Sequence, residues 1–363
     1  MAGERNQSGS LIQDSFTSGT VDMNTRFYAQ APTRIDLAGG WTDLIPFAME
    51  TDGFVLNAAI DLYASATLTP QTGKVVSFQS ADAQQQFCLQ SAPSETVNGL
   101  SLPEAIILTV RQRNGYSLAL DSRAPKGGGL GGSGAIGVVL VSLLHTFAGK
   151  ELKSHQIVDI ANQIERETGI PCGKQDHYAS VFGGLNFLRC HGESVVVTRL
   201  NLNSEAVQRL QESLLLVYTG ESHFSGEILQ NVVDAYKSGN RRTREALSAL
   251  RRIAQEMKAA LCQADLSCFG YLLSENWRYQ KQLHPSVTSK RVEHLFEIAE
   301  RNGSIGGKAC GAGGGGCLVF YCPQDRQNSV TETLLAVGAR SIRFSFDFKG
   351  LLVQSYEGGT LSF

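Results

Sequence analysis

Pro125-Lys-Gly-Gly-Gly-Leu-Gly-Gly-Ser-Gly-Ala135 runs without a break into Ile136-Gly-Val-Val-Leu-Val-Ser-Leu-Leu144, a glycine-dense turn followed at once by an apolar helix. Glycines permit positive φ and let a ligand reach the backbone with no Cβ in the way. The first turn of the helix leaves about four N–H groups unpaired and aimed into the turn. With the positive end of the helix dipole they form an anion site, and phosphate is its usual occupant.

Two familiar phosphate motifs fit the stretch poorly. Gly127, Gly129 and Gly132 satisfy G-x-G-x-x-G, but so glycine-rich a loop meets that pattern through composition alone. A dinucleotide fingerprint also needs an acid about 20 residues further on, at the end of a second strand. Glu151 has roughly that spacing but follows the helix. A Walker loop needs Gly-Lys-Ser/Thr, and Gly132-Ser133-Gly134 offers no lysine. A merely flexible linker would not pour into a strong apolar helix. A phosphate loop of another kind remains.

The rest of the chain brackets this loop with polar residues at glycine breaks. Residues 1–24 are rich in Ser, Gly, Asn and Thr and read as a disordered tail. From Phe27 a strand-like alternation carries Arg34 and Asp36 and stops at Gly39-Gly40, with Trp41-Thr-Asp43 just beyond. β-type composition predicts further strands at Leu62–Leu68, Val75–Gln79, Gln86–Leu89 and Tyr116–Leu120. After the glycine loop and its helix, a second helix is expected over His155–Thr168, with Ile157, Ile160, Ala161 and Ile164 as its apolar face. Gly169 and Pro171 end it. A short polar loop, Gly173-Lys-Gln-Asp-His-Tyr, then precedes Gly183-Gly184 and strands at Leu185–Leu188 and Ser194–Leu200.

Beyond residue 205 helices dominate, over Ser225–Tyr236, Arg241–Leu261 and Ser289–Arg301, before strands at Cys317–Tyr321 and Leu351–Tyr356. A third glycine loop, Gly311–Gly316, follows Lys308. It is suited to the close approach of another backbone or a phosphate, with Lys308 as a nearby positive charge. The pattern reads as α+β in two domains, over 25–205 and 206–363.

Bulk properties exclude several classes. A chain of 363 residues with 42% hydrophobic and 18% charged residues is a globular protein. A net charge of −2 gives no nucleic-acid or membrane footprint. The Arg and Lys residues between Arg241 and Lys258 are spaced as a solvated helix face. Eight cysteines show no C-x-x-C pair or zinc-like spacing and read as reduced, mostly buried thiols. With no basic-then-apolar leader and no apolar run long enough to span a bilayer, a cytoplasmic protein is expected.

Several residues are candidates for chemistry. The Ser133 hydroxyl can face phosphates, bind their counter-cation (usually Mg²⁺), cap the helix, or combine these roles. Glu165 is either a second cation ligand or a surface carboxylate paired with Arg166. Asp176 lies near Lys174, and a nearby lysine favours the ionised carboxylate that orients or deprotonates a hydroxyl. An Asx turn is the alternative. Arg34 and Asp43 bracket the Gly39-Gly40 break, either to meet a small polyol or as an edge-strand salt bridge.

Three ordered blocks carry a family resemblance. Ala31-Pro-Thr-Arg-Ile-Asp-Leu-Ala-Gly-Gly-Trp-Thr-Asp43, the Pro125–Ala135 loop and Lys308-Ala-Cys-Gly-Ala-Gly-Gly-Gly-Gly-Cys317 resemble the three motifs of the GHMP kinases. The resemblance spans about residues 27–322. Gly173-Lys-Gln-Asp-His-Tyr-Ala-Ser-Val-Phe-Gly-Gly-Leu-Asn-Phe187 is similar to D-glycero-D-manno-heptose 7-phosphate kinases, and Asp36-Leu-Ala-Gly-Gly-Trp-Thr-Asp43 to fucokinases.

The resemblance implies the GHMP kinase fold, an N-terminal ribosomal-protein-S5-like ATP domain followed by a ferredoxin-like domain. It implies Arg34 and Asp176 as the catalytic residues, at the positions that act on the acceptor hydroxyl. Asp43, Gly40, Trp41 and Lys174 would contact the sugar. Lys126, Gly127, Gly128, Gly129, Leu130, Gly131, Gly132, Ser133, Gly134, Gly313 and Gly314 would hold ATP, and Ser133 and Glu165 would hold Mg²⁺. The expected activity is a sugar-1-kinase with ATP and Mg²⁺, acting on heptose 7-phosphate, L-fucose or another hexose, with a homodimer one open arrangement. A mevalonate or homoserine acceptor and a non-catalytic sugar sensor are the alternatives. One departure stands out: the second family motif usually reads Gly-Leu-Gly-Ser-Ser-Ala, and here Gly132 replaces the first serine.

Overall fold

The glycine loop touches strands of both sheets, and its helix packs on the first. The computed structural model describes residues 23–80, 83–88, 97–222 and 225–357. The tail expected over 1–24 and Leu89 of the third predicted strand lie largely outside these residues.

The chain opens with β1 (Thr25–Ala38), a short α1 (Phe47–Glu50), the long β2 (Gly53–Gln71), β3 (Val75–Ser80) and β4 (Ala83–Cys88). Next come α2 (Leu102–Thr109), β5 (Gly115–Ser122), α3 (Gly132–Phe147), α4 (Ser154–Glu167) and α5 (Gln175–Phe182). Then follow β6 (Leu185–His191), β7 (Ser194–Arg199), α6 (Ser204–Ser213), β8 (Leu214–Tyr218), α7 (Ser225–Lys237) and α8 (Arg241–Cys262). The chain continues through α9 (Leu266–Gln280), a 3₁₀ turn (Pro285–Val287), α10 (Lys290–Arg301), β9 (Gly306–Ala309) and β10 (Cys317–Tyr321). It ends with α11 (Gln324–Ala336), β11 (Arg340–Ile342) and β12 (Leu352–Glu357).

The first sheet has the order β12-β1-β2-β5-β3-β4, with β6 also on β2 and β7 on β6. β2 is long enough to pair β6 with its first half and β5 with its second, while β1 runs along both. The second sheet, β11-β8-β10-β9, is antiparallel throughout. The last strand crosses back to the first sheet and pairs with β1, Thr25 opposite Glu357.

One core lies between the first sheet and α2–α5, a second between that sheet's other face and α8–α9, and a third around the second sheet, α7 and α10. The helix that the sequence places after the glycine loop is buried on nearly every side, as its dominantly apolar run requires. The register of β1 shifts between Pro32 and Thr33. Across that shift the apolar positions pass from the first core (Ala29, Ala31) to the second (Ile35, Leu37). Strand irregularities re-aim side chains in this way, and here Arg34 is turned toward α3 and α5.

The structure adds elements that periodicity did not announce, notably α5 over residues read as a loop, and α9, α11 and β8. α5 has only eight residues and begins with the polar run Gln-Asp-His after its Lys174 cap, too short for an apolar stripe to show. Seven free cysteines are found among the described residues, four of them buried. Among the described residues no helix is long and apolar enough to cross a membrane.

Candidate active site

The site forms where β1, the glycine loop and α5 meet. Arg34 is 4% exposed. Its Nε donates to Asp176 Oδ1 at 2.8 Å, its second terminal nitrogen lies 2.6 Å from the same oxygen, and Nη1 donates to the Gly129 carbonyl at 2.5 Å. The Arg34 backbone N–H also donates to Leu130 O, so strand and loop are stitched together at this residue. Burial opposes the charge on Arg34, but Asp176 and then Asp36 outweigh it and hold the guanidinium protonated.

The glycines make this contact possible. Gly131 caps α3 with φ 74°, a conformation that favours glycine. A Cβ on Gly134 would lie 2.6 Å from Asp176 Cβ, so α3 and α5 touch backbone to side chain at the predicted catalytic carboxylate. Gly132 differs: nothing lies within 4 Å of where its Cβ would be. The missing serine of the second motif therefore borders open space.

Asp43 is 7% exposed and accepts a hydrogen bond from the Gln175 N–H at the start of α5. It also presses against Gly173. Burial, and then the neighbouring Asp176 carboxylate, push the pKa of Asp43 up to about 6. The structure thus brings Arg34 and Asp43, from one short stretch of sequence, together with Asp176, which lies 142 residues beyond Arg34.

Glu165 is buried at the end of α4, not paired with Arg166, which bonds Glu193 instead. Its Oε2 lies 3.1 Å from Nε2 of the fully buried His177. Burial pushes its carboxyl up, but His177, followed by Ser133 and Cys172, more than offsets this and leaves its pKa below the ordinary carboxylate value. Ser133 sits in the first turn of α3 rather than at its cap, which is Gly131. A serine hydroxyl and a carboxylate meeting at the open end of a phosphate loop are hard oxygen donors of the kind Mg²⁺ takes alongside phosphates and water. Among the described residues no cluster of three His, Cys, Asp or Glu side chains could hold a metal alone.

The geometry corrects two expectations, that Lys174 charges Asp176 and that Lys308 faces a phosphate, and shows where Trp41 and Gly40 pack. Lys174 does not face Asp176: its Nζ donates to Asp159 Oδ1 at 3.0 Å and to Glu193 O at 2.8 Å, and Arg34 is the cation on Asp176. The Trp41 indole is packed in the third core beside Leu44 and Phe47 with its backbone at φ 84°, an outlier for a bulky residue. Lys308 offers no charge to a phosphate. It is fully buried, with Nζ 2.7 Å from both Asp36 O and Asp36 Oδ2. Gly40 stands against that same Asp36 carboxylate rather than in an open pocket.

Of the third glycine loop, Gly311 stacks on Gly129 and Gly316 on Gly127–Gly128. The Cys317 N–H donates to Gly128 O. Gly313 and Gly314 instead press on the 3₁₀ turn, the Gly314 N–H donating to Val287 O at 2.6 Å. Lys126 is exposed at the mouth of the loop.

Sequence reasoning passed over His177, Asn276 and Gln280. His177 follows Asp176 directly. Asn276 and Gln280 continue the buried stripe of Phe269 and Leu273 on α9 with amides in place of apolar residues. That break in the stripe is the legible signal.

Comparison with known proteins settles the family. The GHMP kinases N terminal domain matches residues 101–184 and the GHMP kinases C terminal domain matches residues 257–340. The chain belongs to the GHMP kinase superfamily. As a GHMP kinase it is an ATP-dependent phosphotransferase to an alcohol acceptor. The D-glycero-alpha-D-manno-heptose 7-phosphate kinase of Campylobacter jejuni is 29% identical over 89% of this chain and 97% of that protein. The bifunctional fucokinase/GDP-fucose pyrophosphorylase of Arabidopsis thaliana is 27% identical over 80% of this GHMP kinase, which spans 29% of that longer protein. In fold it is similar to a D-glycero-D-manno-heptose 1-phosphate kinase from Bacteroides thetaiotaomicron, with a TM-score of 0.72 at 24% identity over 90% of this chain and 98% of that one.

Proposed function

We propose that the protein is a sugar-1-kinase that transfers the γ-phosphoryl group of ATP to the anomeric hydroxyl of a sugar, with D-glycero-D-manno-heptose 7-phosphate as the acceptor. The observation that carries this is the buried Arg34–Asp176 pair, set against the backbone of the glycine loop. Transfer of this kind is mostly positioning and electrostatic stabilisation, and a fixed guanidinium beside a phosphate loop supplies both.

In the proposed reaction, Asp176 accepts the proton of the acceptor hydroxyl as its oxygen bonds to the γ-phosphorus. The bond from that phosphorus to the bridging oxygen breaks, and ADP leaves with the electron pair. Arg34 neutralises charge on the transferring group. The N–H groups at the start of α3 and the loop backbone hold the nucleotide phosphates. Asp43 accepts a hydrogen bond from a sugar hydroxyl beside Asp176. Ser133 and Glu165 would hold Mg²⁺, which when bound supplies charge neutralisation at the phosphates.

The choice of acceptor rests on the likeness to the Campylobacter enzyme over nearly its whole length. The fucokinase likeness makes L-fucose the second reading. The test is ADP release with Mg-ATP over D-glycero-D-manno-heptose 7-phosphate, D-mannose, L-fucose, D-galactose, mevalonate and homoserine, with Asp176→Ala as control. Turnover on the heptose phosphate, lost by orders of magnitude in the variant, is expected. Turnover on mevalonate or homoserine, or an Asp176→Ala enzyme of near-normal rate, overturns the proposal.

A further inference from the structure

The acceptor segment and the nucleotide loop meet at Arg34, and a second, largely buried route joins them through α9. The Gly39 N–H, at the start of the Gly39–Asp43 segment, donates to Asn276 Oδ1 at 3.0 Å. Asn276 Nδ2 donates to Gln280 Oε1 at 3.3 Å, and Gln280 Nε2 donates to the Gly311 carbonyl at 3.0 Å. Gly311 stacks on Gly129, whose carbonyl accepts from Arg34. Both amide side chains are 1% exposed.

Each amide uses its oxygen on one side and its nitrogen on the other, so the chain has one direction, from a backbone donor to a backbone acceptor. Turning either amide over would set N–H against N–H at one end and oxygen against oxygen at the other. Burying two amides within an apolar stripe is unfavourable unless both are fully bonded, which locks their rotamers and the two backbone segments they hold. A leucine at either position would fill the space more cheaply, so the amides do something that packing does not.

We propose that Asn276 and Gln280 are positioning residues that tie the Gly39–Asp43 segment to the glycine loops, so that nucleotide binding on one side sets the conformation of the other. Neither touches the reacting atoms in this account. Their effect passes through Gly39 and Gly311. The inference does not depend on which sugar is the acceptor, because it concerns how the nucleotide side reaches Trp41, and Trp41 lies within the linked segment.

Trp41 is itself the probe. The chain has two tryptophans, and the other, Trp277, stacks on Phe296. In a Trp277→Phe background, Trp41 emission would be followed while Mg²⁺ and a non-hydrolysable ATP analogue are titrated. The expected result is a saturable change in emission that falls at least threefold in amplitude in Gln280→Leu at saturating nucleotide, nucleotide occupancy being confirmed by calorimetry. Asn276→Leu is the second variant, should the first fail to fold. In the series arrangement the double variant shows no further loss. An emission change of full amplitude in a folded single variant overturns the proposal. So does a parent protein whose Trp41 emission ignores bound nucleotide, since the link would then carry nothing.

Discussion

Asp43 and Asp176 set two carboxylates side by side in a buried place, which one of them resists by holding its proton longer. The pKa of Asp43 is raised from 3.8 to about 6. Between those values the native protein binds a proton that the unfolded chain has released, so stability falls as pH rises through the window. Asp43→Asn removes that dependence. It is expected to match the parent below pH 4 and to exceed it by about 2–3 kcal/mol above pH 6, while the acceptor KM rises at least tenfold. Urea unfolding at pH 4 and pH 7.5 checks the first part, and a gain confined to low pH would contradict it. The two glycines flanking Ser133 make a matched pair at the same scale. Gly134→Ala drives a Cβ into Asp176 and is expected to lower kcat by about 100-fold. A Cβ at Gly132 meets nothing within 4 Å, so Gly132→Ser is expected to change stability by less than about 0.5 kcal/mol, with activity kept. Steady-state kinetics on the two purified variants decides between them.

Between elements, the buried Asp36–Lys308 pair joins β1 of the first sheet to β9 of the second. Lys308→Met strands a buried carboxylate and is expected to cost about 3–5 kcal/mol, whereas Asp36→Leu with Lys308→Met costs less than the single change. Denaturant midpoints of the two variants and the parent test this, and a double variant weaker than the single would refute it. This element scale is also where the sequence is least legible. The glycine loop and the apolar helix after it were plain, because local backbone chemistry dictates both. So was the amphipathic face of α4 at Ile157, Ala161 and Ile164. The role of Lys308 was not, since its position beside a glycine loop looks the same whether it points at a phosphate or at Asp36 across a sheet boundary. Lys174 misled for a similar reason. Two residues along a chain looks close, yet at the start of a helix the two side chains point to different sides. Arg34 and Asp176 were each legible as candidates, but their pairing spans 142 residues and only the fold could show it.

Across the whole molecule, the last strand returns to pair with β1, and α8 and α9 pack against the opposite face of the same sheet. The segment from Arg34 to Asp43 is therefore held from both halves of the chain, which suits a site where a nucleotide and an acceptor must be aligned within a fraction of an ångström. The proposed transfer to an anomeric hydroxyl leaves its mark on the product. The most direct measurement is phosphorus–proton correlation NMR of the product formed from Mg-ATP and D-glycero-D-manno-heptose 7-phosphate. A new phosphomonoester coupled to the proton on C1 is expected, absent when Asp176→Asn replaces the parent. A newly added phosphate on any carbon other than C1, or the same product at the same rate from the variant, would contradict anomeric transfer.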